Sequence, residues 1–519
     1  MNLKRKLWWA QHRTDVYKYS TFILLFLVVT ISIIYFTYSK FSTSNEMTMY
    51  ETTVEPFIKN DYFIASYIDG EWSNEIPGKN DGYIIDKVVC DNGATGTWDY
   101  NDWEIRISNA TKKTKCSLFF VTGSLIDVEL YQGLIPVTYN LSGDVVVADT
   151  NTKWYDYSNH EWANAVLVNC ADSTIKSKYF NDDMSLKSSV VGKTISMDEI
   201  LQMYVYIPRY RYKLFNAENR TSVEQAIEIE FEPKSTHKSN GSRDGEWLTH
   251  PAFTFGSTEL PGIWVGKFEL SGTSTLPKIV PNVSSLIGMS VSEQFNASRL
   301  MTTTLASTYG TSTNDDSHMM KNMEWGAVAY LSSSIYGRYI NASTCIDSGC
   351  EVWINNNSSY TTGCAGSSVS ASEASTCNAW NTATGVNAST TGNQYGIYDM
   401  SGGAVEHIMG NYAYNIGKSE FSSLPNSKYL DEYAGNDFSM YNVGDVTKET
   451  IKNSLSENLN VAWYDNRSYV LNSSYPWMVR GGACFDESIA GLFYFNGGDG
   501  GRCDGSGCYN SFRSVITAS

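Results

Sequence analysis

Short runs of β-branched and aromatic residues, each closed by a turn signal, recur along this chain. Near the start they read YFIASYIDG, GYIIDKVVC, WEIRIS and TKCSLFFVTG. Pairs such as Asp69-Gly70 and Asn92-Gly93 lie between the runs, and these residue types favour tight turns. The spacing predicts a small β-sandwich over residues 59–125. Cys90 and Cys116 lie on two of its strands, and this placement is compatible both with a disulfide and with a buried pair of free thiols.

The longer part of the chain, residues 126–519, mixes strand patterns with one clear helix pattern. The stretches MYVYIPRYRYKLFN and GIWVGKFELSG read as strands. The stretch SHMMKNMEWGAVAYLSSSIYG carries apolar residues at helical spacing, and Asp315, Asp316 and Ser317 are placed to cap it. Residues 341–391 are rich in Ser, Thr, Asn and Gly, which predicts a polar surface insertion. We therefore predict a mixed α+β domain over residues 126–519.

Length and composition set the broad class of the protein. The chain has 519 residues, which is too long for one ordinary domain of about 100–200 residues. Aromatic residues make up 13% of it, with 35 Tyr and 14 Trp, which is typical of a globular, β-rich protein. The formal net charge is -17. Because binding to phosphates needs a basic surface, nucleic acid is excluded as a partner.

An uncharged apolar run of 17 residues, Phe22–Tyr38, lies near the N-terminus. It approaches the ~20 residues that a helix needs to cross a bilayer core. Basic residues outnumber acids before it, so the positive-inside rule places the N-terminus in the cytoplasm and the later domains outside the cell. We predict a single-pass cell-membrane protein with a cytoplasmic tail over 1–20, a transmembrane helix over 21–39 and a stalk over 40–58. A cleaved signal peptide and a prepilin are the alternatives.

Ten cysteines in an exported chain permit disulfides, although spacing alone does not fix their connectivity. Cys170 and Cys484 have no near neighbour. The remaining cysteines form four neighbouring pairs: Cys90 with Cys116, Cys345 with Cys350, Cys364 with Cys377, and Cys503 with Cys508. No C-x2-C pair occurs and the C-x4-C pairs lack a nearby His, so no zinc site is predicted. We expect no cofactor; a structural calcium ion is compatible with the sequence, but nothing in the sequence requires it.

Four motifs in chain order resemble the formylglycine-generating enzyme (sulfatase-modifying factor) family. GNQYGIYDMSGGAVEHIMGNY is similar to its G-L-Y-D-M-x-G-N-V-W-E-W signature, and VRGGACFDES to its R-G-G-S-W segment. NSFRSVI is similar to its closing G-F-R sequence, and MMKNMEWGAVAYL to its E-W-E-Y-A-A helix. The resemblance implies a C-type lectin-like fold for the C-terminal domain, with a central twisted sheet, long loops and a last strand that returns beside the first. The predicted fold class is thus α+β, with a small all-β domain and a transmembrane helix before the lectin-like domain.

The catalytic residues of that family are not matched. Its activity uses a C-x4-C pair just after the R-G-G, which binds copper and attacks the substrate. Here Cys484 follows Gly482 by two residues without a suitable second thiol, while Cys503 and Cys508 have the right spacing about twenty residues too late. GGAVEH also replaces GNVWEW, which removes residues of the family's calcium-linked loop. We predict that the protein is not an enzyme; a thiol-dependent oxidase that uses Cys503 and Cys508 is the alternative.

A second group with the same fold offers a closer resemblance. In the bacterial or phage-borne variable proteins of diversity-generating retroelements, adenines are replaced at random, mainly in Asn codons, and this changes the last loops. Between Tyr494 and Asn510 every residue can be reached from an Asn codon by such changes, whereas Glu487 cannot. An ordinary turn-rich loop would also favour Gly, Asp, Asn and Ser, but it explains Cys503 and Tyr509 less well.

This resemblance predicts a surface receptor or adhesin whose C-terminal surface binds a macromolecular ligand, a protein or a glycan on another cell, a phage or a host. A non-varying lectin-like adhesin and a structural or pilus-associated surface protein are the alternatives. Loops on a rigid scaffold can change side chains at little cost, and Tyr supplies contact area at low entropic cost. The predicted ligand-binding residues are Ala483, Cys484, Phe485, Asp486, Ser488, Tyr494, Asn496, Gly498, Asp499, Arg502, Asp504, Ser506 and Tyr509. The oligomeric state is not predicted.

Overall fold

The structure, a computed structural model, divides into two compact units, Met1–Ser124 and Leu125–Ser519. This division lies one residue from the boundary predicted after residue 125. The residues that the structure describes are 62–68, 70–77, 83–99, 103–111, 114–122, 126, 128–213, 227–234, 247–340, 350–433, 466–469, 471–497 and 509–518. The predicted cytoplasmic tail, transmembrane helix and stalk lie outside them.

The first unit contains a four-stranded antiparallel sheet and a separate hairpin. The sheet order is β2-β1-β6-β3, with β1 Tyr62–Ile68, β2 Glu71–Trp72, β3 Tyr83–Cys90 and β6 Lys115–Thr122, and the hairpin is β4 Thr95–Asp99 with β5 Glu104–Ser108. Trp98 of the hairpin packs edge-on against Phe120 of the sheet, with ring centroids 5.5 Å apart. Cys90 and Cys116 are directly opposed on β3 and β6 and form a disulfide, which excludes the pair of free thiols.

The second unit is built around a seven-stranded sheet. Its order is β19-β28-β16-β10-β9-β7-β8, with β7 Ile135–Tyr139, β8 Val145–Val147, β9 Asn164–Val168, β10 Ile200–Pro208, β16 Gly262–Gly266, β19 Asp315–Met319 and β28 Ser514–Ala518. Every residue of β9, β10 and β16 is buried, as expected for strands covered on both faces. The last strand, β28, lies between β16 and β19, and Ile516 is paired with both Trp264 and Ser317.

A second sheet of six strands carries the segment that precedes the chain end. Its order is β23-β22-β25-β26-β24, with β27 beside β22; the strands are β22 Glu406–Tyr412, β23 Asp431–Tyr433, β24 Ser468–Tyr469, β25 Trp477–Gly481, β26 Gly491–Asn496 and β27 Ser511–Phe512. Only Arg513 separates β27 from β28. The chain therefore passes from one sheet to the other at this residue.

Smaller sheets complete the second unit. They are the three-stranded sheet β12-β11-β13 and three hairpins, with β11 Tyr210–Lys213, β12 Glu228–Phe231, β13 Leu248–Thr249, β14 Thr254–Phe255 with β15 Thr258–Glu259, β17 Ser271–Thr273 with β18 Leu276–Lys278, and β20 Cys364–Ala365 with β21 Asn378–Ala379. The last hairpin carries the disulfide Cys364–Cys377, and Cys350 is also disulfide-bonded. Trp380 and Ala388 join the main hydrophobic core, so the predicted insertion contributes buried residues to it.

Helices are few and short in the described part of the chain. They are α1 Ser173–Tyr179, α2 Val291–Arg299, α3 Ala306–Tyr309 and α4 Asn322–Ser332, with short 3-10 turns between other elements. All 11 residues of α4 are buried. The predicted helix beginning after Ser317 is wrong over its first turn, because residues up to Met319 form β19 and pair with the chain end.

The predicted α+β class is therefore wrong. Strands dominate the described residues of both units, and the helix pattern around Met323 accounts for only one of the four short helices described there. The β-branched and aromatic runs are more frequent along the chain than this helix pattern, and they form the sheets. Within the described ranges, no helix has both the length and the apolar character needed to cross a membrane.

Candidate functional site

The loop between β25 and β26 begins at two glycines whose conformation other residues rarely adopt. Gly481 and Gly482 have φ values of 83° and 80°. A Cβ on Gly482 would lie 2.9 Å from the backbone of Ala490, so close packing favours glycine at the last position of the R-G-G motif. The loop that follows is compact, because the Ala483 N–H donates to the Asp486 carboxylate at 2.8 Å.

The predicted ligand-binding residues separate into three groups. Phe485 and Tyr509 are exposed, at 57% and 66%, and Ser488 is also exposed while Asp486 is half-buried. The buried group comprises Ala483, Cys484, Tyr494 and Asn496. Gly498, Asp499, Arg502, Asp504 and Ser506 lie outside the described residues, as do Cys345, Cys503 and Cys508. The exposed side chains are the ones that can contact a ligand in this conformation.

One short stretch of chain supports both ends of the predicted site. The Cys484 N–H donates to the Gly403 carbonyl and the Ser511 N–H donates to the Val405 carbonyl, each at 2.9 Å. Phe485 follows the first of these bonds by one residue, and Tyr509 precedes the second by two. The structure thus brings together two regions that are 24 residues apart in the sequence, counted from Phe485 to Tyr509.

Gly403 packs against a buried carboxylate. Its φ is 74°, and a Cβ there would lie 2.4 Å from the Glu269 carboxylate. Glu269 accepts a hydrogen bond from the Ala404 N–H at 3.0 Å and another from the Ser285 hydroxyl. Burial raises the pKa of Glu269 well above its usual value, and the nearby Asp399 and Glu406 raise it further. The G-G pair of this segment is therefore fixed by the packing beneath it.

A network of three side chains holds the residue that follows Tyr509. The Asn510 amide donates to His407 Nε2 at 3.1 Å, and His407 Nδ1 is 3.0 Å from the Gln294 side-chain oxygen. Gln294 in turn donates to the Asn510 carbonyl at 3.0 Å. Burial lowers the pKa of His407 to about 3, so the imidazole is neutral at physiological pH and Nε2 is free to accept. This histidine supports the loop rather than acting as an acid or base.

Glu406, next to His407, forms a buried ion pair with Arg513. The Arg513 guanidinium reaches its two carboxylate oxygens at 2.5 and 3.1 Å. The guanidinium also donates to the carbonyls of Gly266 and Tyr398 at 2.7 and 2.9 Å. Burial raises the pKa of Glu406 to about 7, and the charge of Arg513 opposes that rise. The pair joins β22 to the junction between the two sheets.

Tyr360 lies on the same surface, although no pattern in the sequence around it predicts this position. Its ring stacks against Tyr509, with centroids 6.2 Å apart and planes at 25°. Its carbonyl accepts a hydrogen bond from the Ser285 N–H at 2.9 Å. A second contact reaches the loop after β25, because the Ser372 hydroxyl donates to Glu487 at 2.8 Å. Only the tertiary fold brings this part of the predicted insertion to the site.

The two free cysteines of the described residues are both buried. Burial raises the pKa of Cys484 to about 12, with Glu373 and Glu269 adding to the rise, and burial raises that of Cys170 to about 11. The nucleophile in thiol chemistry is the thiolate, which is nearly absent at neutral pH in such sites. Cys484 therefore lacks the properties of a catalytic thiol.

Among the described residues, no group of three or more His, Cys, Asp or Glu side chains is placed to hold a metal ion. The buried carboxylates near Gly403 are instead occupied by Arg513, by Asn355 and by backbone N–H groups. Their arrangement is that of a structural network.

No protein-family model matches this sequence, and comparison with curated proteins gives no match. The assignment of a function therefore rests on the motifs and on the geometry of the site.

Proposed function

We propose that this protein recognises a macromolecular ligand, a protein or a glycan on another cell, a phage or a host. Contact is made through a surface that comprises the loop 483–489, Tyr360 and Tyr509; the other predicted contact residues, between 498 and 506, lie outside the described residues. The observation that carries the proposal is the placement of Phe485 and Tyr509 as exposed aromatic side chains next to backbone anchored on the same buried stretch. Large exposed aromatics on a rigid base are the usual anchors of binding surfaces.

The frame beneath the surface does not depend on the exposed side chains. The Arg513–Glu406 ion pair, the His407–Asn510 hydrogen bond and the Gly402-Gly403 turn are all buried. A change at Phe485, Ser488 or Tyr509 leaves these contacts in place. This separation supports the further proposal that the surface is the diversified site of a retroelement variable protein.

Acidic side chains surround the exposed aromatics. Glu487 is exposed beside Ser372, Asp486 is half-buried, and Glu373 is close enough to raise the pKa of both Tyr360 and Cys484, each of which is raised chiefly by burial. We infer that the ligand presents hydrogen-bond donors or basic groups at the point of contact.

The test begins with arrays of glycans and of random peptides probed with the full-length protein. Ligands found in this way are then titrated against Phe485→Ala, Tyr509→Ala and the control Tyr414→Ala, which removes another exposed Tyr outside the proposed surface. We expect at least a tenfold loss of affinity for the first two variants and little change for the control. Equal affinity of all four proteins for every ligand would exclude this surface.

Diversification has a separate test in the gene itself. A reverse transcriptase and a near-copy of the segment encoding residues 481–516, differing only at adenines, are expected close to the gene. Their absence would remove the diversification proposal and leave the proposed binding surface to the array experiment.

A further inference from the structure

A second concave site lies in the larger unit, and none of its lining residues belongs to the surface described above. It is a groove of about 560 Å³ between the β14–β15 hairpin and the segment that leads into β23. Hydroxyl side chains of Ser257, Thr258 and Ser427 line it together with two lysines, Lys321 and Lys428. Its polar lining indicates a hydrophilic ligand.

Lys321 is only 5% exposed, and it lines the groove. Its ammonium group lies over the Phe255 ring, 5.5 Å from the centroid. Among the described residues no carboxylate lies within ion-pair distance of this ammonium and no group accepts a hydrogen bond from it. The Glu324 carboxylate is already engaged, because one oxygen accepts the Lys321 N–H at 2.8 Å and the other bonds His318 at 2.9 Å. An ammonium group that lines a groove and has no carboxylate at ion-pair distance among the described residues can pair with an anion that a ligand supplies.

Lys428 brings a second ammonium group to the same aromatic ring. It lies 4.6 Å from the Phe255 centroid and 3.2 Å from the Asp316 carboxylate. Asp316 does not neutralise it fully, because the same carboxylate also pairs with Arg299 at 2.6 Å and with His318 at 3.0 Å. Lys428 therefore shares its carboxylate with two other basic groups.

The one acid that lines the groove is oriented toward a helix. Asp431 accepts a hydrogen bond from the Met323 N–H, at the start of α4, at 2.8 Å. Its negative charge is thus stabilised by the N-terminus of the helix, which leaves the two lysines as the groups that can bind an anion.

We propose that this groove binds the oxyanion of a small hydroxylated molecule, such as a sugar carboxylate or a sugar phosphate. Lys321 and Lys428 contact the oxyanion, and the hydroxyl groups of Ser257, Thr258 and Ser427 contact the rest of the ligand. The groove is larger than a bare phosphate, which is why a hydroxylated body is expected to accompany the charge. The site is independent of the surface proposed for macromolecular recognition.

The test is calorimetric titration of the full-length protein with glucose, glucuronate and glucose 6-phosphate. Glucose lacks the charge and should not bind, while at least one of the two acidic sugars should bind saturably, and which one does so distinguishes a carboxylate site from a phosphate site. Lys321→Met should weaken that binding at least tenfold. Lys193→Met, which removes an exposed ammonium far from these contacts in the sequence, should leave it unchanged.

Lys428→Met provides a second, independent variant if Lys321→Met fails to fold, as judged by near-ultraviolet circular dichroism. It should weaken binding at least threefold. The proposal is overturned if neither acidic sugar binds more tightly than glucose, or if folded Lys321→Met or Lys428→Met binds like the wild type.

Discussion

The guanidinium of Arg513 meets both carboxylate oxygens of Glu406, and neither side chain is exposed to solvent. Arg513 is the single residue between β27 in one sheet and β28 in the other, and Glu406 opens β22. A bidentate pair of this kind is geometrically specific as well as strong. It fixes the place where the chain changes sheets, immediately after the proposed binding surface.

Removing Arg513 should destabilise the protein severely. Arg513→Met leaves the Glu406 carboxylate buried without a counter-charge, so we expect the free energy of unfolding to fall by about 3–5 kcal/mol. The exposed pair Lys153–Asp156 supplies the control, and Lys153→Met should cost less than about 1 kcal/mol. Denaturant unfolding followed by Trp fluorescence measures both. Similar losses in the two variants would contradict a structural role for the buried pair.

Glu406 should make the protein less stable as pH rises. Its pKa is raised from 4.5 to about 7 on folding, so the folded state binds more protons than the unfolded state between these values. The stability that this group contributes is complete below pH 4.5 and is lost as pH rises through about 7. Unfolding titrations from pH 5 to pH 8 should show this decline, and Glu406→Gln should reduce it. An unchanged slope in the variant would assign the decline to other groups.

His407 should act in the opposite direction. Burial lowers its pKa from 6.5 to about 3, so the unfolded state binds more protons below pH 6.5, and stability is lost as pH falls toward 3. His407→Gln should flatten the acid side of the stability profile between pH 4 and pH 6.5. In the wild type the opposite contributions of Glu406 and His407 to the pH dependence of stability partly cancel between pH 4.5 and 6.5. Substitution of either residue should therefore reveal the pH dependence that the other one causes. If His407→Gln kept the acid-side slope, His407 would not be its source.

The thiols of Cys484 and Cys170 should be inert in the folded protein, because burial raises both pKa values to about 12 and 11. Iodoacetamide at pH 7.5 should leave both cysteines unmodified in native protein and modify both in denaturant, as measured by peptide mass spectrometry. Rapid labelling of Cys484 in the native protein would show that its thiol is a reactive nucleophile.

Gly403→Ala should cost more than its backbone conformation alone explains. The added Cβ would lie 2.4 Å from the Glu269 carboxylate at a φ of 74°, whereas Gly192 has a similar φ of 76° with no atom within 4 Å of such a Cβ. We expect a loss of about 3 kcal/mol at Gly403 and about 1 kcal/mol for the control Gly192→Ala. Equal losses would show that Glu269 moves aside freely.

Local patterns predicted the strands well where hydrophobic runs are short and bounded by turns. YFIASYI and GIWVG form β1 and β16, and the runs ending in Cys90 and beginning near Cys116 pair as antiparallel strands. The residues that determine each of these strands lie close together in the sequence. The spacing of the apolar residues and the types of residue in the turns are therefore enough to predict them.

Long-range pairing explains the errors. Residues Asp315–Met319 look like the start of a helix, but β28 pairs with them from the far end of the chain and holds them extended. Tyr494, one of the predicted contact residues, lies in β26, all of whose residues are buried, and its role in ligand contact stays a prediction. Tyr360 reaches the surface only through the fold of the segment around it. No local pattern encodes these contacts.

Asn510 and Ser511 lie between residue 508 and the final strand in the sequence, and both are hydrogen-bonded to the core. Their bonds to His407 and Val405 tie the start of β27 to β22 and the residue before it. Tyr509, the residue before these two, is exposed, so a substitution of its side chain is expected to leave the register of β27 and β28 unchanged.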